Sequence, residues 1–307
     1  MVLENYKNKS PQFKYYGGTI LVFVGAILFS AKAVLIKLTY SYYKIDSASL
    51  LTLRMLFALP FYILVAIILN KRKSNINLNS KNWLHLAILG ITGYYIASIF
   101  DFEGLQFVSA GVERIILFIY PTIVVVWSAI VFKRKITSVQ YFALVLTYIG
   151  LSIALFNDIQ SGAQKDLMRG GSFIFISAIT YAGYMVYGGE LIPKLGSMKF
   201  TCYAMMFATL AIVIHFLIVH GVNIFNFPPE VYWFALIMGI FSTVIPTFMI
   251  SEGINMVGSG NASIIAGIGP ISTIVLAYFF LNESFSLIQL VGTCIVLVGV
   301  LKVSAKK

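Results

Sequence analysis

Ten apolar runs, each about 20 residues long and nearly free of charge, occupy most of this 307-residue chain and leave it few possible folds. About 20 helical residues cross roughly 30 Å of hydrocarbon, so each run reads as a membrane span. The spans are expected at Gly17 to Tyr40, Ser47 to Leu69, Trp83 to Phe102, Ser109 to Phe132, Ser138 to Phe156, Gly170 to Gly189, Met198 to His220, Val231 to Ser251, Val257 to Leu281 and Leu287 to Val303. The runs are apolar on all sides and do not alternate as barrel strands do. With 59% hydrophobic and 11% charged residues, the chain lies far from a soluble domain. The expected fold is an all-α integral membrane protein of ten transmembrane helices.

A repeat divides these helices. At an offset of 149 residues, Trp83 to Leu151 aligns without a gap on Tyr232 to Val300, with 15 identities in 69 positions. The pairs include Gly90 with Gly239, Glu103 with Glu252, Gly104 with Gly253, Gly111 with Gly260, Pro121 with Pro270, Gln140 with Gln289 and Gly150 with Gly299. Five helices per half is an odd number, so the second half is expected to enter the membrane from the opposite side, as an inverted repeat. Such repeats build secondary transporters, whose halves rock about a site near the bilayer midplane.

The net charge of +11 raises the question of a nucleic-acid partner, and its placement answers against one. With the N-terminus inside, fifteen lysines and arginines fall in cytoplasmic segments, against Lys44, Lys165 and Arg169 outside. This positive-inside bias places both termini in the cytoplasm and needs no nucleic acid. The Lys, Asn and Ile bias suits a low-GC bacterium, hence its cytoplasmic membrane. The "AKA" of Ala31 to Ala33 mimics a signal-peptide cleavage site, but cutting there would remove the first helix. Cys202 and Cys294 both fall in spans, so no disulfide is expected.

The stretches "FEGLQFVSAGVERIILFIYP" and "EGINMVGSGNASIIAGIGP", the latter followed by "FFLNESFS", resemble the EamA-like branch of the drug/metabolite transporter superfamily. The resemblance covers nearly the whole chain. It implies a carrier with residues 17–156 and 170–303 as two EamA-like repeats, joined by an external linker at 157–169 and flanked by tails at 1–16 and 304–307. It also implies a small-molecule substrate, often an amino acid or other metabolite moved outward, with no cofactor. Membrane lipid is the other expected partner, and the oligomeric state is left open. The acidic residue that the family carries after the fourth helix of each half is present as Glu283, while Arg134 stands at the first-half position.

Charges inside membrane helices cost about 2.5 to 3.5 kcal/mol and usually face protein or water. Lys32, Arg54, Asp101, Glu103, Glu113 and Arg114 are expected at one depth in the outer half of the membrane. Glu103 ends its helix, where the macrodipole disfavours an anion, so Arg114 or Arg54 is expected to pair with Glu103 or Asp101. This group reads as a structural ion network, an external gate, or a substrate-anion site. Glu103 and its repeat mate Glu252 are candidates for proton coupling, set against plain solvated helix ends. His85, His215 and His220 show no metal-ligand spacing and read as interfacial.

Pro121 and Pro270 fall mid-span at matched positions, and Pro246 breaks another span, so all three are expected to kink their helices. Tyr95, Tyr120 and Tyr184 lie deep enough that each hydroxyl needs a partner, which suits a cavity. Aromatic walls with a few cations fit an amphipathic zwitterion or anion. Two rivals remain: an integral-membrane enzyme acting on lipid, for which no nucleophile or metal cluster is visible, and a channel, for which no filter is visible.

Overall fold

The computed structural model describes residues 11–71, 78–160, 166–221, 226–281 and 287–304. Among them the regular structure is all helix. In chain order the helices are α1 (Pro11–Tyr42), α2 (Ser47–Asn70), α3 (Ser80–Gly104), α4 (Ala110–Leu117), α5 (Tyr120–Phe132), α6 (Ser138–Gln160), α7 (Leu167–Leu195), α8 (Ser197–His220), α9 (Pro229–Val257), α10 (Ser259–Leu281) and α11 (Leu287–Ser304). Polar residues open several of them. Asp46 accepts from the Ser49 amide at α2, Asn79 from Asn82 at α3, Ser109 from Val112 at α4, and Asp166 from Arg169 at α7. Each such cap satisfies an amide that the first turn leaves unbonded. Gly196, at φ +84°, turns α7 directly into α8, and Gly258, at φ +81°, turns α9 into α10. Only glycine takes that conformation without strain.

The expectation of ten transmembrane helices in two inverted five-helix repeats is not met. Among the described residues, six helices are long and apolar enough to cross a membrane: α1, α2, α3, α8, α9 and α10, the last running through a two-residue turn at Ala266–Gly267. The span expected at Ser109 to Phe132 is broken at Phe118–Ile119 into α4 and α5, each too short to cross alone. In α6 and α11 the described apolar stretches are only Ser138–Gly150 and Cys294–Val303. Helix α7 has the length, at 29 residues, but tyrosines and glycines dilute its apolar character. Opposite insertion followed from counting five spans per half, and that count does not hold. The protein is a multi-pass membrane protein whose described residues are all-α, with six long apolar helices among them. Large apolar side chains face outward, including Ile130 at 73%, Ile218 at 79% and Phe279 at 69% exposure, as a lipid-facing surface requires.

The residues matched in the sequence make matched contacts. Helix α3 crosses α8 so closely that a Cβ on Gly90 would lie 2.1 Å from the Ala204 carbonyl oxygen, and one on Gly239 of α9 would lie 2.9 Å from the Arg54 carbonyl oxygen of α2. Small residues let membrane helices approach in this way. Helix α1 packs on α9, α3 on α7, and α6 on α11. The wide helical turn at Ile91–Ile96 of α3 recurs at Ile240–Val244 of α9, where the chain has shifted from i→i−4 to i→i−5 hydrogen bonding. Such π segments often mark functional sites.

Candidate functional site

The π segment of α3 turns Gly93 and Tyr94 toward a narrow cavity between the helices. Phe29 and Lys32 of α1, Arg114 of α4, Tyr120 of α5 and Tyr181 of α7 complete much of its wall, and Pro270 of α10 closes one side. The rings form one aromatic surface. Tyr181 stacks near Phe29 at 6.3 Å and meets Tyr120 edge-on at 5.2 Å, while Tyr94 meets Tyr184 at 4.8 Å. These distances and angles are the edge-to-face and offset arrangements that ring quadrupoles favour.

Beside this aromatic surface lie five buried charges. Lys32 donates to Asp101 Oδ2 at 2.5 Å, with both side chains almost fully enclosed. Arg114 Nε lies 3.0 Å from Glu113 Oε2. Arg54 donates to Ser98 Oγ at 3.2 Å and lies 4.9 Å over the Phe102 ring. Lys32, Asp101, Glu113 and Arg114 all act on one another electrostatically, with Arg54 bearing on Lys32 and Asp101. Several atoms of this nest find no hydrogen-bond partner in the described protein: Arg54 Nε, Asp101 Oδ1, both Glu113 oxygens, and Nε and Nη2 of Arg114. Buried polar groups normally have partners, so those of these atoms that lie outside the Arg114–Glu113 ion pair, Arg114 Nη2 among them, are available to a ligand.

The structure brings together Lys32, Arg54, Arg114, Tyr120 and Tyr184, although Tyr184 stands behind Tyr94 and Tyr181 and does not line the cavity. Tyr95 is elsewhere: its ring packs on His215 at 5.7 Å. Adjacent helical residues point about 100° apart, so only one of Tyr94 and Tyr95 could face the cavity. The expected pairing of Arg114 or Arg54 with Glu103 or Asp101 does not form. Lys32 takes Asp101, while Glu103 accepts from Ser47 Oγ at the start of α2 and from Gln106 Nε2 at 3.1 Å. Glu252 accepts from Ser197 Oγ at the start of α8 in the same manner. The positive end of a neighbouring helix thus does for Glu103 what a cation was expected to do, and does the same for Glu252. Lys37 in turn donates to the carbonyls of Leu105 and Val108 just beyond α3, at 3.0 and 2.8 Å.

The prolines act differently from expectation. Pro121 and Pro270 do not kink continuous helices; each stands in the first turn after a break, at Phe118–Ile119 and at Ala266–Gly267. Proline is favoured there because the first turn leaves its amides unbonded anyway. Pro246 follows the π segment of α9, which absorbs the lost hydrogen bond. Sequence reasoning did not single out Phe29, Tyr62 or Lys37. Phe29 sits three residues before Lys32, on the same face of α1, which is the signal that could have found it. Tyr62 bonds Thr247 Oγ1 at 2.8 Å and ties α2 to α9. Glu283 lies outside the described residues, and Arg134, half exposed, pairs with Glu190 of α7.

The sequence model of the EamA-like transporter family matches the chain twice, at residues 17–156 and 168–305. The uncharacterized transporter YcbK of Bacillus subtilis (strain 168) is 32% identical over 284 residues, covering 90% of this chain and 88% of its own. The uncharacterized inner membrane transporter YicL of Salmonella typhimurium is 23% identical over 94% of this chain and 95% of its own. A solved crystal structure superposes with a TM-score of 0.73 at 14% identity, covering 93% of this chain and 96% of that one, and so shares its fold. The relatives are transporters and not enzymes. The chain belongs to the EamA-like transporter family, whose members move small molecules across a membrane.

Proposed function

We propose that the cavity between α1, α3, α4, α5, α7 and α10 is the substrate site of a secondary transporter. Its cargo is a small amphipathic metabolite with a carboxylate, an amino acid or a related compound, moved by alternating access and in the efflux direction. The observation that carries this reading is Arg114: a buried guanidinium at the cavity wall, with Nη2 unbonded, facing a surface of tyrosine and phenylalanine rings. A guanidinium binds a carboxylate in a fixed geometry, and the rings give the apolar body a partner. We also place both termini on the cytoplasmic side, from the distribution of lysine and arginine.

Counterflow in proteoliposomes tests this. Labelled amino acids, N-acyl amino acids, sugars, nucleosides and organic phosphates are offered to vesicles loaded with the same unlabelled compound. Saturable exchange of a carboxylate-bearing class, lost in Arg114→Ala and partly kept in Arg114→Lys, is expected. Exchange that ignores both substitutions removes Arg114 from the path.

A further inference from the structure

The turn between α5 and α6 carries Lys133, Arg134, Lys135 and Thr137, away from the cavity of Arg114. At the repeat offset of 149 residues Arg134 falls on Glu283 and Lys135 on Ser284, so the cationic character belongs to this turn and not to its mate. Against the turn lies a second pocket, lined by Ser128, Arg134, Lys135, Thr137, Gln140 and Asn261 among others. Its walls come from both units that the family model matches, and Gln140 Nε2 of α6 donates across it to Asn261 Oδ1 of α10 at 3.0 Å.

The polar groups of this pocket suit an oxyanion. Thr137 caps α6: its hydroxyl accepts from the Gln140 amide at 3.3 Å, and its own amide donates to Gln140 Oε1 at 3.1 Å. The amides of Ser138 and Val139 in the same turn have no acceptor among the described residues, so the positive end of a 23-residue helix opens beside the pocket. The opposing C-terminal end of α5 is covered there, since the Lys133 and Arg134 amides both donate to the Ser128 carbonyl. Ser128 is the independent sign of a ligand. It is 6% exposed, yet its hydroxyl bonds no described group, whereas buried Thr52, Thr147, Thr201 and Thr209 each donate to the carbonyl four residues back. Arg134 gives only Nη2 to Glu190, and Lys135 meets no carboxylate among the described residues. Two cations against one carboxylate leave the pocket a net positive charge.

We propose that this pocket binds a phosphate group, carried either by free phosphate or by the headgroup of an anionic phospholipid. Arg134 and Lys135 supply the charge, the hydroxyls of Ser128 and Thr137 donate to phosphate oxygens, and the start of α6 adds its positive end. A guanidinium and hydroxyls beside a helix N-terminus are the donors that phosphate oxygens take. The pocket also meets an apolar surface: Ile136 in its wall is 46% exposed, and Ile130 and Val131 at the end of α5 are exposed as well, so acyl chains have a path to follow. The inference stands apart from the cavity reading above.

The test uses the full-length protein in dodecyl maltoside at constant ionic strength, given a brief pulse of acetic anhydride. Peptide mass spectrometry reads the acetylation of Lys135 and of Lys81, which lies in the first turn of α3. The probes are inorganic phosphate and dihexanoyl phosphatidylglycerol. At least one is expected to slow Lys135 acetylation severalfold along a saturating curve while Lys81 is unchanged. Protection by the lipid at the lower concentration assigns the site to a headgroup, and protection by phosphate at the lower concentration assigns it to a free anion. Arg134→Glu, which gives the turn the charge of its repeat mate, is expected to abolish protection. Ser128→Ala is expected to raise the half-saturating concentration about tenfold, the effect of losing one hydrogen bond to a charged group. Protection that survives Arg134→Glu, equal protection of Lys135 and Lys81, or no protection by either probe overturns the site. If Arg134→Glu does not fold, the wild-type curves and Ser128→Ala still decide.

Discussion

Lys32 on α1 and Asp101 on α3 form a 2.5 Å ion pair with both side chains almost sealed from solvent. Burying a pair costs desolvation, but losing one partner leaves an isolated charge, which costs about 3 to 5 kcal/mol. Lys32→Ala and Asp101→Ala are each expected to lower the thermal midpoint of the detergent-purified protein sharply. The double Lys32→Met, Asp101→Leu variant is expected to unfold later than either. Midpoints that combine additively in the double variant would falsify the pairing.

Ser47 and Ser197 open α2 and α8 and donate to Glu103 and Glu252. A hydrogen bond to a charged group contributes about 1.5 to 3 kcal/mol, and here a buried serine meets a partly buried glutamate, so each serine-to-alanine change is expected to cost about 1.5 kcal/mol. The two losses are expected to be similar in size and to add, because the sites share no partner. Thermal midpoints of the two single variants and the double variant check this.

Gly90 leaves no room for a side chain, since a Cβ would lie 2.1 Å from the Ala204 carbonyl oxygen. Gly90→Ala must push α3 off α8, and overpacking of this kind costs about 1 to 3 kcal/mol. At Gly171 the nearest atom is the flexible end of Ile116, 3.3 Å away, so Gly171→Ala is expected to be nearly neutral. Gel-filtration monodispersity and melting of the two variants separate these outcomes.

Tyr94 faces the cavity and Tyr95 faces His215. Tyr94→Ala is expected to raise the half-saturation concentration in counterflow severalfold, while Tyr95→Ala is expected to leave it within twofold of wild type, both effects of the size a lost ring contact gives. The reverse order would place the substrate path on the other face of α3.

Sequence made most of the helices legible, because hydropathy reports apolar length directly. It did not show the break at Phe118–Ile119, since "LFIYPTIVVV" stays apolar straight through it and hydropathy carries no information about backbone hydrogen bonds. Of the six charges read at one depth, Lys32, Arg54, Asp101, Glu113 and Arg114 gather in one nest, while Glu103 turns to Ser47 and Gln106. Which cation met Asp101 was not legible, because depth does not fix the direction each side chain takes around its helix. The same gap exchanged Tyr94 for Tyr95. Glu103 was expected to meet an arginine, and Glu252 to couple a proton or sit solvated at a helix end, because the positive end of a neighbouring helix has no letter in the sequence.

The order of the buried charges along the chain bears on how the protein is made. Lys32 and Arg54 lie on α1 and α2, whereas Asp101 follows Lys32 by 69 residues and Glu113 follows later still. During synthesis the cations emerge before any carboxylate that can meet them, and each isolated charge costs about 2.5 to 3.5 kcal/mol in a lipid-facing helix. The first two helices, apolar enough to cross, therefore each carry that cost until α3 and α4 emerge. Their settlement in the bilayer waits on the anionic part of the chain, which makes the first half of this protein a single unit of assembly.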